Sequence, residues 1–191
     1  MPWQSLPRHA PPTQGPVRLL CLSDGSVSSG LFVVEQALRQ RHDISVVLTV
    51  LQLDPSLAAA NREIWGASAV HWTCLETRAQ LSALAAEQDV LVIPELAYGD
   101  ERRLSQELVS AGLWLIASHS SNAATLLDEH RFGTSIAAGD PEALCHSLEC
   151  WDQQRSAPEP LLHFPLAQPN LSRQLRTLYD ALPLERSELT R

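Results

Sequence analysis

VRLLCLSDGSVSSGLFVVEQALRQRHDISVVLTVL, residues 17–51, decides how the chain is read. Val17–Ser23 is a short apolar run bounded by polar and glycine residues, the pattern of a buried strand. From Ser29 to Arg41 the apolar residues fall at positions 31, 33, 34, 37 and 38, a spacing that puts them on one face of a helix. Ile44–Leu51 is a second buried strand. A strand, a helix of this length and another strand predict a βαβ unit and a parallel pair.

The same alternation continues downstream. Pro55 precedes a segment, Ser56 to about Trp65, that is expected to be helical and to end at Gly66. Ala69–Trp72 is a short strand and Thr77–Glu87 a helix. Asp89–Pro94 (DVLVIP) is a strand, Glu101–Ala111 a helix ended by Gly112, and Leu113–Ser118 (LWLIAS) a strand. Asn122 is placed to cap a helix running to about His130. Gly133–Ala137 is a strand, and Asp140-Pro141 opens a helix to about Gln153. Residues 155–170 carry four prolines and are expected to form an irregular crossing segment, before an amphipathic helix at Leu171–Leu182. Strands apolar along their whole length need helices on both faces. The expected fold is therefore α/β, a doubly wound parallel sheet, Rossmann-like. Residues 1–16, with five prolines, read as an arm or linker, 17–183 as the single domain and 184–191 as a tail.

Composition narrows the function. The chain has 191 residues and a net charge of −8, which disfavours nucleic-acid phosphates as a partner. All 14 basic residues are arginine, so no lysine is available as a Schiff base, a general base or a phosphate contact. No apolar run is long enough to span a bilayer and the N-terminus has no apolar signal core, so a cytoplasmic address is expected. Cys21, Cys74, Cys145 and Cys150 form no CxxC pair, and His146 beside Cys145 lacks zinc spacing. Four buried thiols and no metal are expected.

Ligands of open parallel sheets bind beyond the carboxyl ends of the strands. The candidates there are Ser23, Asp24 and Gly25 after the first strand, Gln52 and Asp54 after the second and Thr73 and Cys74 after the third. Glu95 and Tyr98 follow the fourth, and His119, Ser120, Ser121 and Asn122 the fifth. Hydroxyls and free N–H groups at a helix start suit a diphosphate, although plain capping uses the same residues. The loop SDGSVSSG has neither GxGxxG nor GxxxxGK[ST], which weakens dinucleotide and P-loop readings. His119 is a candidate base or phosphate donor, or else a structural residue. Asp24 and Glu95 are placed to meet across neighbouring strand ends.

An ordered series of segments carries a family resemblance. Residues 71–95, HWTCLETRAQLSALAAEQDVLVIPE, resemble a strand–helix–strand stretch that ends in Pro-Ser in retaining GT-B glycosyltransferases of the glycosyl transferase group 1 type. Residues 107–118, ELVSAGLWLIAS, resemble their E-A-M-A-x-G-x-P-V-I-A-S. Residues 128–149, DEHRFGTSIAAGDPEALCHSLE, resemble their segment containing G-D-P-E-A-L, and NLSRQLRTLYDAL (170–182) resembles their last helix. The resemblance implies a single GT-B C-terminal-type domain, the half that holds a nucleotide sugar, with no covalently bound cofactor. Glu107 matches the glutamate that binds the ribose hydroxyls, a fitting partner for a diol.

Several catalytic positions depart from that pattern. The first glutamate of the paired motif falls on Gly99, with Asp100 one residue away and Glu95 four. The phosphate-binding lysine aligns with Ser29 and its arginine partner with Ser23 or Asp24. The glycine turn after the fifth strand aligns with Ser121, Asn122 and Thr125. Arg102 and Arg103 are candidate substitutes for the lost cations, against the alternative of a solvated helix start. Only sixteen residues precede the first strand, so the acceptor-binding half is expected to come from a protein partner or to be missing. Two functions stay open: a nucleotide-sugar-binding component of an enzyme lacking independent transferase activity, and a non-catalytic binding, scaffold or regulatory module. A different doubly wound domain with a coincidental pattern is the third alternative.

Overall fold

The computed structural model describes residues 14–41, 44–53, 62–75, 77–96, 102–130 and 133–155. Its strands are β1 (Val17–Ser23), β2 (Val46–Gln52), β3 (Arg62–Trp65), β4 (Ser68–Thr73), β5 (Val90–Ile93), β6 (Trp114–Ser118) and β7 (Gly133–Ile136). Its helices are α1 (Leu31–Gln40), α2 (Arg78–Ala86), α3 (Arg102–Ser110), α4 (Thr125–His130) and α5 (Pro141–Arg155). They form one seven-stranded sheet of order β3-β4-β2-β1-β5-β6-β7, in which only the β3–β4 pair is antiparallel. The α/β, Rossmann-like architecture is the expected one.

Side-chain alternation along the strands divides the core in two. Val17, Leu19 and Cys21 of β1 join Leu48, Val50, Val90, Val92 and Ile116 of the other strands, and pack against Val34, Leu38, Leu144, Leu148 and Trp151 of α1 and α5. Leu20 and Leu22 face the other way with Leu51, Leu91, Ile93 and Leu115, onto Leu81 and Ala85 of α2 and Leu108 and Val109 of α3. Apolar residues on both sides of the central strands therefore specify the double layer of helices. Of the four thiols expected in the interior, only Cys21 is fully enclosed; Cys74, Cys145 and Cys150 are half-buried at the margins of the core.

The segment expected to be a helix ending at Trp65 departs from that reading. Residues 62–65 are strand β3, hairpinned onto β4 with Trp65 opposite Ser68. The periodicity there is two: Trp65 is buried, whereas Ile64 is 74% exposed. Trp65 lies edge-on to Trp72, with ring centroids 6.3 Å apart, and its Nε1 donates to Glu63 (2.9 Å). Gly66 (φ +62°) serves the hairpin turn instead of stopping a helix, and a Cβ there would lie 2.6 Å from the Leu38 carbonyl oxygen. The preceding residues 54–61, including Asp54 and the expected helix start, lie outside the described residues. So do most of the N-terminal arm, the crossing segment after Arg155, the helix expected at Leu171–Leu182 and the tail.

At the edge holding the strand starts, Asp89 fastens β1 to β5. Its carboxylate accepts from the backbone N of Arg18 (3.0 Å), from Nε (3.0 Å) and from a terminal guanidinium nitrogen (2.6 Å). The Asp89 side chain is fully buried and that of Arg18 is 29% exposed. The hydrogen bonds and charge of Asp89 hold the Arg18 guanidinium above the ordinary arginine range, against the opposing effect of burial. The backbone of Asp89 also bonds to Arg18 and Trp114. Asp89→Ala should lower unfolding stability in urea by about 3 kcal/mol, the low end for a broken buried pair because Arg18 retains contact with water.

Candidate functional site

The chain leaves β1 for β2 on one side and later returns to β5 on the other. The carboxyl ends of β1 and β5 therefore flank the topological switch, where an open parallel sheet forms its ligand crevice. Three short segments meet there.

The first follows β1. Asp24 accepts from the backbone N of Ser26 (2.8 Å) and from its hydroxyl (2.6 Å), and Ser26 Oγ lies 2.6 Å from Ser28 Oγ. The Ser26 hydroxyl caps a 3-10 turn at Val27–Ser29. The hydroxyls of Ser23 and Ser29 are 3.2 Å apart, and the N–H of Gly25 (φ +80°) donates to Ser23 Oγ (3.1 Å). The bonds to Asp24, led by that from the Ser26 hydroxyl, hold its carboxyl below the usual aspartate range.

The second segment follows β5. Leu96 N donates to the Ser28 carbonyl (2.9 Å). At Gly30 (φ +70°) a Cβ would lie 2.0 Å from the carbonyl oxygen of Pro94, so the two loops touch backbone to backbone. Glu95 is 5% exposed.

The third segment follows β6. The hydroxyls of Ser118 and Ser120 both donate to the backbone carbonyl of Glu95 and stand 3.1 Å from each other. Ser121, and not Asn122 as expected, is the cap: its Oγ accepts from Ala123 N (3.0 Å) at the 3-10 turn Asn122–Ala124, which leads into α4. His119 is exposed, and its backbone N donates to the Ile136 carbonyl (2.9 Å).

The expected candidates Ser23, Asp24, Gly25, Thr73, Glu95, His119, Ser120, Ser121 and Asn122 thus share one edge of the sheet. Ser23, Ser120 and Ser121 already hydrogen-bond within the protein. Asp24 and Glu95 stand at neighbouring strand ends, but among the described residues no contact joins their side chains as the expected meeting required. Asp24 is exposed and engaged with Ser26, whereas Glu95 is buried. Thr73 closes β4 half-buried, its hydroxyl 3.4 Å from the Cys74 carbonyl. Glu107 lies half-buried on α3. Arg102 and Arg103 open that helix, but their side chains lie outside the description, as do Tyr98, Gly99 and Asp100 altogether.

Beside these loops is a pocket of about 280 Å³ lined by Leu51, Gln52, Leu53, Leu75, Thr77, Leu81 and Leu104. It lies on the α2–α3 side at the ends of β2 and β4. Leu104 is one helical turn before Glu107. Sequence reasoning overlooked most of this lining, along with Ser118, Gly30 and Pro94. The signals present were apolar residues just past strand ends (Leu53, Leu75) and a serine closing the apolar run LWLIAS. Among the described residues no group of three or more His, Cys, Asp and Glu side chains could hold a metal, and no helix is long and apolar enough to cross a membrane.

The fold is that of solved GT-B glycosyltransferase structures. They include Anabaena HepE, crystallised in complex with UDP and glucose, 16% identical over 87% of this chain and 49% of that chain (TM-score 0.58). WaaG, a glycosyltransferase involved in lipopolysaccharide biosynthesis, is 18% identical over 85% of this chain and 46% of that one (TM-score 0.54). Sucrose-phosphate synthase from Thermosynechococcus elongatus is 15% identical over 93% and 51% (TM-score 0.54). The chain spans about half the length of these structures. No protein-family model and no curated protein matches it.

Two outcomes follow from the crevice geometry. Gly30→Ala should cost at least about 2 kcal/mol in urea unfolding, since it adds left-handed strain to a backbone collision. Asp24, with its folded pKa depressed, contributes stability above the ordinary aspartate value of 3.8 and loses it as pH falls through the lowered folded value. Asp24→Asn should therefore lower the neutral plateau of a stability-against-pH curve and flatten its acid limb, while leaving stability below the lowered folded pKa nearly unchanged.

Proposed function

We propose that this chain is a nucleotide-sugar-binding domain of glycosyltransferase type that lacks independent transferase activity and acts with a partner supplying the acceptor half. The observation that carries the reading is the meeting of three short loops, two of them rich in serine, at the switch point, beside an apolar pocket and the helix bearing Glu107. An apolar slot walled by Leu104, one helical turn before Glu107, suits a base followed by a ribose diol, and small hydroxyl-bearing loops at strand ends suit a diphosphate. HepE, which shares the fold, is crystallised with UDP-glucose, and this supports a uridine nucleotide as the first ligand to try.

Loss of activity is proposed on chemical grounds. Transfer leaves a nucleoside diphosphate whose developing charge needs fixed cations or a metal. The family's lysine position holds Ser29, whose hydroxyl is bonded to Ser23 and to the Ser26 carbonyl. The same substitution favours the second reading, a binding or regulatory module descended from such a domain. On both readings the chain's own residues orient a ligand by hydrogen bonding. Arg102 and Arg103 are proposed as the nearest cations, and Asp100, Glu95 and His119 as the remaining acid–base candidates.

The test is a thermal-shift and calorimetric titration with UDP-glucose, GDP-mannose and ADP-glucose. A ligand at 100 times its Kd should stabilise the protein by about 2.7 kcal/mol. Glu107→Ala should abolish the response, while turnover of the nucleotide sugar by the chain alone should be undetectable. Silence toward all three nucleotides would overturn the nucleotide-sugar reading and leave the module.

A further inference from the structure

We propose that Cys150 is a nucleophilic thiol, activated by His146 and positioned by Glu149, that accepts a thiol group from a low-molecular-weight disulfide. The three residues lie on one face of α5. Cys150 Sγ is 3.6 Å from Nε2 of His146, one turn earlier, and Nδ1 of the same ring is 3.5 Å from Glu149 Oε2. The other Glu149 oxygen pairs with the Arg41 guanidinium (2.5 Å), which also donates to the Cys145 carbonyl (3.0 Å). Arg41, just beyond α1, thus anchors Glu149 from the neighbouring helix.

A carboxylate at Nδ1 favours the tautomer with its proton there and leaves Nε2 to accept from the thiol. Proton transfer from Sγ to Nε2 produces a thiolate beside an imidazolium, and Glu149 stabilises that cation. The thiolate attacks one sulfur of the external disulfide, forming a Cys150–S–S bond and breaking the original S–S bond. The departing thiolate takes the proton from the imidazolium, so one thiol is oxidised and one sulfur reduced. The His146 side chain is 77% exposed, which leaves the approach open. The charged groups flanking the pair are Glu142 and Glu149 on α5 and Arg41 from the α1 side; Asp152 is engaged by Arg155.

Two other thiols are placed differently. Cys21 is fully buried, and desolvation, with a smaller contribution from the Glu95 charge, pushes it up to about 12. Cys145 Sγ donates to the Ala37 carbonyl (3.5 Å) of α1. The C-terminal end of α5 is bonded through Arg155 to Gly15, just before β1, so Cys150 lies toward the sheet edge opposite the candidate nucleotide site.

The test treats the intact protein with glutathione disulfide at pH 7 and maps mixed disulfides by peptide mass spectrometry. Cys150 should be modified first. His146→Gln should slow it about a hundredfold, the low end of what a positioned base supplies, and the gap should narrow as the pH is raised. Glu149→Gln should slow it less, and Cys150→Ser should remove the fast adduct without altering the circular dichroism spectrum. Modification of Cys74 or Cys145 at a rate equal to that of Cys150, or a rate unchanged by His146→Gln, would overturn the proposal.

Discussion

The contact between Gly30 and Pro94 constrains everything built at the ligand edge. β1 is central, with β2 on one side and β5 on the other, so the loop that leaves β1 must share its space with the loop that leaves β5. The chain meets this constraint with a glycine whose Cβ would collide with a carbonyl, and with a direct bond from Leu96 N to Ser28. Ser118 and Ser120 then fasten the β5 loop to β6 through the Glu95 carbonyl. Three strand ends are thereby locked without a charged side chain in any of those bonds. The opposite edge of the sheet is fastened by charge, through Arg18 and Asp89. At the edge of the strand starts an ion pair joins two strands, whereas at the ligand edge the bonds between strand ends are made by hydroxyls and backbone.

Much of this architecture was legible in the sequence because its signals are local. Apolar runs such as DVLVIP and LWLIAS are buried on both faces, and helices of ordinary length separate them. β3 was not legible in that way. It closes a segment that begins after Pro55 and stops at Gly66, which also describes a helix with a start and a stop, and only the pairing of Trp65 with Trp72 and β4 resolves the period as two. Tertiary packing outweighs local propensity in so short a segment. At the site, the strand-end rule located Ser23, Glu95 and Ser120 but could not say which hydroxyls were already engaged. The bond from Ser120 to Glu95 joins residues twenty-five apart in the chain, and no periodicity encodes it.

The hydroxyl-rich edge also bears on what the proposed domain could do without the cations held there in the family it resembles. Each neutral hydrogen bond contributes about 0.5–1.5 kcal/mol net, and bonds to charged groups about twice that. A base in an apolar pocket and a ribose on a carboxylate contribute equally before and during bond cleavage. They govern affinity, not rate. A lysine at the Ser29 position would instead act on charge that develops only as the glycosidic bond breaks. On the proposed reading, replacement of that lysine by Ser29 separates the two quantities: ligand affinity can persist while turnover falls by orders of magnitude. Retention of a fold able to bind is therefore compatible with loss of the chemistry, and affinity measured against turnover is the comparison that tells an inactive binding domain from a weak enzyme.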